Sequence, residues 1–351
     1  MTRLAFVFPG QGSQSVGMAG ALAAAWPQSA AVLAEADAIL RQALSRLIAE
    51  GPAEELDRTE SAQPALLATS IAFLRALEAR AAEANVTLRP AFAAGHSMGQ
   101  YSALVAAGAI SMADGLRLVR ERGRLMQASG AGRPGAMGAL IGLDDAHLPE
   151  LVARASAAGV FGVANRNAPG QVVVSGERPA VEASLDIARE LGARKCVLLP
   201  VSVAAHSPLM AEAAAAMAVV LAAVPFEDPS PPLLSNAGAR TISRAAAARL
   251  ELVEHLTAGV DWVNAVNTMT SAGIDTFIEV GPGRVLTGLI KRIAPDARAV
   301  ALHDPSAPDG LATAAVDAAL DASAESPTGE SLTAALTRLP SGSPAGHSTA
   351  S

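Results

Sequence analysis

Cysteine is nearly absent from this chain of 351 residues, where Cys196 stands alone. A single cysteine forms no internal disulfide, so the chain reads as a cytoplasmic protein of a reducing compartment. Its place in the apolar stretch Cys196 to Leu199 predicts a buried structural thiol. Aromatic residues are scarce at 3%, which leaves the core to Ala, Val and Leu. Charge is sparse as well: 17% of residues carry it, and the net −7 argues against non-specific nucleic-acid binding. Long hydrophobic runs are missing. The longest, Ala213 to Val224, is too short to cross a bilayer, and Leu4 to Phe8 ends at Pro9-Gly10 like a strand, not a signal-peptide core. No histidine pair has metal-ligand spacing on a common helix, so no metal site is implied.

Hydrophobic residues are abundant, at 51%, which excludes a disordered chain. The length suffices for one large domain or two smaller ones. Strand Leu4 to Phe8 leads into helical patterns over Ala19–Ala24, Ser29–Ile48 and Ser61–Ala84. A short apolar run at Phe92 follows, then helices over Tyr101–Ile110 and Met112–Gln127. Strands alternating with long helices predict an α/β fold with a largely parallel sheet. Between about 131 and 200 the rhythm becomes strand Ala136–Ile141, helix Asp145–Ala157, strand Val160–Ala164, strand Gln171–Ser175, helix Arg178–Leu191 and strand Lys195–Leu199. That β-α-β-β-α-β order is ferredoxin-like and predicts an inserted subdomain over 131–200. The main domain, 1–130, then resumes over 201–305. From 306 to 351 the chain is an Ala-, Ser- and Pro-rich tail, and Pro340 to Ser351 has the composition of a disordered segment.

Chemistry concentrates at Gly95-His96-Ser97-Met98-Gly99. An apolar run precedes it and a helical stretch follows, which is the context of a Gly-x-Ser-x-Gly nucleophile elbow. The N–H of Met98 then points to where an oxyanion would form. Six histidines limit the search for a base. His347 is in the tail, His147 and His303 suit bland roles, and His96 points away from the serine. His206 and His255 remain. His206 stands just before the helix start Ser207-Pro208, at the junction of subdomain and core, where clefts form. From the residues alone it is either the base or a structural histidine.

Arg122 is anomalous. Its three- and four-apart neighbours Leu118, Val119, Leu125 and Met126 are the apolar stripe of helix Met112–Gln127, whereas Arg117, Arg120 and Arg124 face outward. An inward guanidinium requires an oxygen partner. Two readings stand: a buried structural ion pair, or a fork for a substrate carboxylate. The loop Pro9-Gly10-Gln11-Gly12-Ser13-Gln14 is neither a P-loop nor a dinucleotide fingerprint, but it follows a strand and has backbone donors to offer. Gly281-Pro282-Gly283 reads as a tight strand-to-helix turn.

Phe6-Val7-Phe8-Pro9-Gly10-Gln11-Gly12-Ser13-Gln14, Gly95-His96-Ser97-Met98-Gly99 and Arg122-Gly123-Arg124-Leu125-Met126 occur in order. Asn167-Ala168-Pro169-Gly170-Gln171, His206-Ser207-Pro208-Leu209-Met210 and Glu279 to Leu289 follow. Together, from Ala5 to about Pro305, the chain resembles the malonyl-CoA:acyl-carrier-protein transacylases of fatty-acid and polyketide synthesis. The resemblance implies an α/β-hydrolase-like core with a ferredoxin-like insert. It implies Ser97 as acylated nucleophile, His206 as base, backbone N–H groups of Gln11 and Met98 as oxyanion hole, and Arg122 as partner of the malonyl carboxylate. Asn165 would line the acyl site. Coenzyme A would enter as part of the substrate, with no cofactor, and a holo-acyl carrier protein would receive the group. No nucleic acid or membrane partner is implied, and the family is often monomeric.

Some positions depart from the family pattern. His255 stands where Gln is common, at a place whose backbone carbonyl orients the catalytic histidine. Asp261 replaces Arg before Trp262, Gln100 replaces Glu, and Ala205 precedes His206 where Ser or Phe is common. Ala205 borders the acyl pocket, which leaves an α-substituted malonyl group open as an alternative extender. Carriers are acidic, so Arg284, Lys291 and Arg292, or Arg194 and Lys195, are candidate docking residues. A thioesterase or esterase on the same scaffold is the competing enzyme class, and an inactive scaffold module the non-enzyme one. The inward Arg122 favours transfer, and intact Ser97, His206 and Arg122 disfavour a dead module.

Overall fold

The computed structural model describes residues 3–132, 134–201 and 203–324. Its strands are β1 (Leu4–Phe8), β2 (Phe92–Gly95), β3 (Gly135–Ile141), β4 (Phe161–Ala168), β5 (Gln171–Glu177) and β6 (Lys195–Leu198). They continue with β7 (Leu233–Leu234), β8 (Thr241–Ile242), β9 (Val260–Asp261), β10 (Thr276–Glu279) and β11 (Arg298–Ala301).

The main sheet runs β11-β10-β1-β2-β7-β8, parallel except at β8. Helices cover both faces, so β1 and β2 are buried along their whole length and read as apolar runs without alternation. Successive residues of β1 feed opposite layers. Leu4, Phe6 and Phe8 join a core with helices Pro27–Leu40, Thr59–Glu83 and Met112–Gly132, while Ala5 and Val7 join one with helices Trp262–Ser271 and Val285–Ile293. The few aromatics sit at the centre of this packing: Phe8, Phe73, Tyr101, Trp262 and Phe277 are fully buried.

A second sheet, β6-β3-β5-β4-β9, is antiparallel through its first four strands. Helices Leu148–Ala155 and Arg178–Glu190 pack on it around a separate apolar cluster that includes Leu140, Leu151, Val174 and Leu185. This arrangement is compatible with the ferredoxin-like expectation. The fifth strand, β9, comes from the main core and pairs in parallel with β4, Asn165 opposite Val260.

The helical pattern over Ser29–Ile48 proves to be two helices, Pro27–Leu40 and Leu44–Glu50, because Arg41 turns left-handed at φ 51°. The pattern over Asp145–Ala157 opens as a 3₁₀ turn that Asp144 caps through the N–H of Ala146. Cys196 is half-buried on edge strand β6, not fully buried as expected, and partial burial pushes its thiol pKa up. A helix the sequence did not single out, Thr313–Ala324, buries Ala315, Ala318, Ala319 and Ala322 against the main core. The segment expected to be disordered, Pro340 to Ser351, lies outside the described residues. Among the described residues no helix is long and apolar enough to cross a membrane, and no group of three or more His, Cys, Asp or Glu is placed to hold a metal ion.

Candidate active site

β2 stops at Gly95 and helix Gly99–Ala106 begins four residues later, so the chain must reverse around Ser97. Close approach explains both flanking glycines. A Cβ on Gly95 would lie 2.0 Å from the Gly99 carbonyl carbon, and one on Gly99 would lie 2.2 Å from the Phe8 oxygen. The turn places Ser97 in the left-handed region, φ 52°, a strained conformation for a side-chain-bearing residue. Its N–H is held by the Asn236 side-chain oxygen at 2.7 Å.

His206 meets the serine from the other side, with Nε2 2.8 Å from Ser97 Oγ. It too is left-handed, φ 59°, and the next residue, Ser207, caps the 3₁₀ turn Pro208–Met210. Its Nδ1 lies 2.5 Å from the His255 carbonyl oxygen. A carbonyl only accepts, so Nδ1 carries the hydrogen and Nε2 presents a lone pair to the serine hydroxyl. Burial, then the positive charge of Arg122, holds the His206 pKa well below its ordinary 6.5. The ring is therefore neutral near pH 7, as a base must be.

Arg122 points inward and is 2% exposed. Its Nη1 donates to Gln63 Oε1 at 2.9 Å and its Nη2 to Ser97 Oγ at 3.2 Å, while the guanidinium carbon sits 5.9 Å over the Tyr101 ring. Among the described residues no carboxylate pairs with it, so the structural ion pair is not what holds it. A buried cation whose partners are neutral, one of them the Ser97 hydroxyl, is able to receive an anion.

No hydrogen bond within the described residues uses the backbone N–H of Gln11 or Met98. Asn165 is buried on β4 beside β9, and Ala205 is half-buried next to His206. His96 turns away from the serine, as expected, and pairs with Asn167 Oδ1 at 2.8 Å. His255 hydrogen-bonds the base through its main-chain carbonyl, and its fully buried ring stands T-shaped to the His206 ring at 6.1 Å. Gln100 bridges β2 to β7, accepting from Gly95 N–H at 3.0 Å and donating to the Leu234 oxygen at 2.9 Å. Asp261 caps helix Trp262–Ser271 through the N–H of Asn264 and pairs with Arg166 at 3.4 Å. In the Gly281-Pro282-Gly283 turn the Gly283 N–H donates to His303 Nδ1 at 2.9 Å, and buried Glu279 accepts the N–H groups of Leu286 and Thr287 at the start of helix Val285–Ile293.

Arg284, Lys291, Arg194 and Lys195 are exposed, and no hydrogen bond ties them to the dyad. Arg292 is exposed but engaged, donating to the Gln171 side chain and, at 3.2 Å, to the Pro169 oxygen. Sequence reading missed Gln63, Asn236 and Glu251. Each has other polar residues close by in sequence (Ser61, Ser235, Arg249 and Glu254), so no local pattern marks it.

A serine on a glycine-locked elbow, a neutral histidine and a buried arginine define a serine acyl-transfer site on an α/β core. The acyl transferase domain family matches residues 5–303, and the chain belongs to it. The chain is 45% identical to the malonyl CoA-acyl carrier protein transacylase of Escherichia coli K12, over 88% of this chain and 98% of that one. It superposes with TM-score 0.83 on an acyl carrier protein S-malonyltransferase from Vibrio cholerae, at 39% identity over 90% of this chain and 99% of that one. A malonyl-transacylase solved in complex with a type II polyketide-synthase acyl-carrier protein matches equally well, at 0.83 and 40% identity over 91% and 99%.

Proposed function

We propose that this protein transfers the malonyl group of malonyl-CoA to the phosphopantetheine thiol of an acyl carrier protein through an ester on Ser97. The observation that carries this reading is Arg122: a buried cation with no carboxylate partner among the described residues, 3.2 Å from the Ser97 hydroxyl. His206 Nε2 takes the Ser97 proton as Oγ attacks the thioester carbonyl. The N–H groups of Gln11 and Met98 receive the developing oxyanion. Collapse of the intermediate expels the coenzyme A thiolate, which leaves with the proton from His206. The carrier thiol then attacks the ester, giving its proton to His206, and Ser97 recovers it on release.

Arg122 holds the free carboxylate of the malonyl group during the interval between the two half-reactions. Asn165 and Ala205 line the acyl site, and the small side chain at 205 leaves room beside the α-carbon. Such pinning in a buried cleft favours the carrier thiol over water. The division into a core of 1–130 and 201–305 and a subdomain of 131–200 belongs to the same reading, with β9 joining the two. So do a monomeric, cytoplasmic enzyme that needs no cofactor and docking of an acidic carrier near Arg284 and Lys291. Arg292 contributes less, being engaged with Gln171 and Pro169.

Intact mass after brief mixing with malonyl-CoA or acetyl-CoA, followed by holo-carrier, tests the reading. A malonyl adduct that moves to the carrier, little acetyl adduct, and no adduct in Ser97→Ala are the expected results. Transfer retained in Ser97→Ala refutes the mechanism. Rapid loss of the adduct to water without carrier loading makes the protein a hydrolase instead.

A further inference from the structure

Behind the dyad lies a buried polar cluster that the reaction above does not use. Helix Ala245–Thr257 carries Glu251 and His255 one turn apart, 2% and 0% exposed. Each supports one half of the dyad by its own route. The His255 carbonyl oxygen receives His206 Nδ1–H. Glu251 Oε1 accepts the Asn236 N–H at 2.6 Å, and the Asn236 side chain in turn accepts the N–H of Ser97. Between the two side chains Glu251 Oε1 lies 3.6 Å from His255 Nδ1. Among the described residues, Glu251 Oε2, Asn236 Nδ2 and both ring nitrogens of His255 have no hydrogen-bond partner.

Unmet polar atoms in a dry pocket are costly, and a proton on Glu251 Oε1 shared with His255 Nδ1 meets one of them. The surroundings decide which group holds it. His255 faces Tyr101 and His206 at ring separations of 6.1 Å, and burial and then the Arg122 charge keep its pKa well below 6.5. Glu251 faces the backbone and side-chain N–H groups of Asn236, which favour its ionised form, together with Glu254 and Arg240, but burial outweighs them and pushes its carboxyl up to about 7. Below about pH 7 both directions leave the proton on the carboxyl. A shift of less than about 1 Å closes the gap to hydrogen-bond length.

We propose that Glu251, as a neutral carboxylic acid donating to His255 Nδ1, and His255 form a buried pair that positions both halves of the dyad from beneath. Neither touches substrate; they are positioning residues, and their role rests on the Ser97–His206 reading. Loss of the donor as pH rises through the ionisation of Glu251 loosens the turn under His206, and kcat falls.

The test compares the full-chain enzyme with Glu251→Gln and Glu251→Leu, each checked for a native fold by thermal melting. Glutamine keeps a neutral donor for His255 and an acceptor for Asn236, whereas leucine keeps neither. Glu251→Gln should stay within about threefold of wild-type kcat, and its kcat–pH profile should lose the alkaline fall. Glu251→Leu should lose kcat by on the order of tenfold or more with KM little changed, since the dyad and not the substrate contact is displaced. Equal loss in both variants would mean that the charge on Glu251 matters, and overturns the proposal. Wild-type rates and pH profiles in both overturn it too. Should the leucine variant not fold, the glutamine profile and the ring ¹⁵N shifts of His255 decide: an acceptor Nδ1 supports the pair, a protonated one refutes it. Ser97→Ala, run alongside, reports separately on the dyad. If that variant still transfers, the dyad itself is wrong.

Discussion

One helix, Met112–Gly132, carries arginines in two opposite circumstances. Arg117 and Arg124 are exposed and take the carboxylate three residues back on their own helix, Asp114 at 3.4 Å and Glu121 at 2.6 Å. Arg122, between them, is buried, and the positions three and four residues away are apolar. A surface guanidinium is satisfied by the nearest side chain of its own turn, whereas Arg122 reaches across the fold to Gln63 and Ser97. Those partners orient it without neutralising it. The small sheet offers the contrasting solution in Arg166, which is held by two carboxylates, Asp145 and Asp261. A cation kept for structure brings its counter-ion with it; Arg122 has an orienting amide, and in the proposed mechanism its counter-ion arrives with the substrate.

The most direct way to break this comparison is to remove the buried member. Arg122→Ala should slow malonylation of Ser97 by about 100- to 1000-fold, the loss expected when one partner of a buried charge pair is truncated. Acetyl transfer, which has no carboxylate to bind, should change far less, so the preference between the two thioesters narrows. Stopped mass-spectrometric acylation rates with each thioester measure both. Equal slowing of the two would deny the fork.

In the proposed mechanism the same cation tunes the base. His206 acts while neutral, and its pKa is depressed, so the acylation rate should hold on acidification through pH 6.5 and fall only further down. Below its pKa the rate should drop about tenfold per pH unit. Arg122→Gln removes a charge that opposes protonation, so the acid limb of its residual activity should move up toward 6.5. A limb that stays in place would detach Arg122 from the base. Stability follows the same sign: buried histidines that bind protons less readily than the unfolded chain favour the fold fully above 6.5 and progressively less below it.

Gln100 extends the comparison to a buried polar group with no charge. Its amide donates to Leu234 and accepts from Gly95 at once. Gln100→Glu, the residue common in the family at this position, removes the donor unless the carboxyl is protonated. We expect a loss of about 1–3 kcal/mol in urea unfolding near neutral pH, smaller in acid. No change at either pH would show that β7 carries no load at this bridge.

What the sequence reveals divides along physical lines. The elbow is legible because close backbone approach demands glycine at fixed positions around Ser97. Arg122 is legible because helical spacing places a cation among apolar neighbours. The dyad partner is harder, since His206 and His255 both qualify by residue type; the fold uses the ring of one and the backbone carbonyl of the other, and a carbonyl leaves no trace in residue identity. Gln63, Asn236 and Glu251 are illegible singly because long-range packing alone brings them behind the serine. Strands β8 and β9 span two residues each, too short for any periodicity. The break at Arg41 rests on one left-handed residue that carries no glycine to announce it.

The smallest expected effect is also the control that gives the largest its meaning. Arg124 shares the helix, the charge and the family motif with Arg122, but its guanidinium is exposed and bridges Glu121 twice, at 2.8 and 2.6 Å. Exposed pairs between neighbouring turns gain little, because water already solvates both charges and salt screens what remains. Arg124→Ala should therefore leave acylation rate, thioester preference and pH profile within about twofold of wild type. A tenfold loss would mean that the outer face of this helix also guides the incoming thioester. Salt would then resolve the case: long-range guidance fades as ionic strength rises, whereas the loss in Arg122→Ala, made in a dry site, should persist.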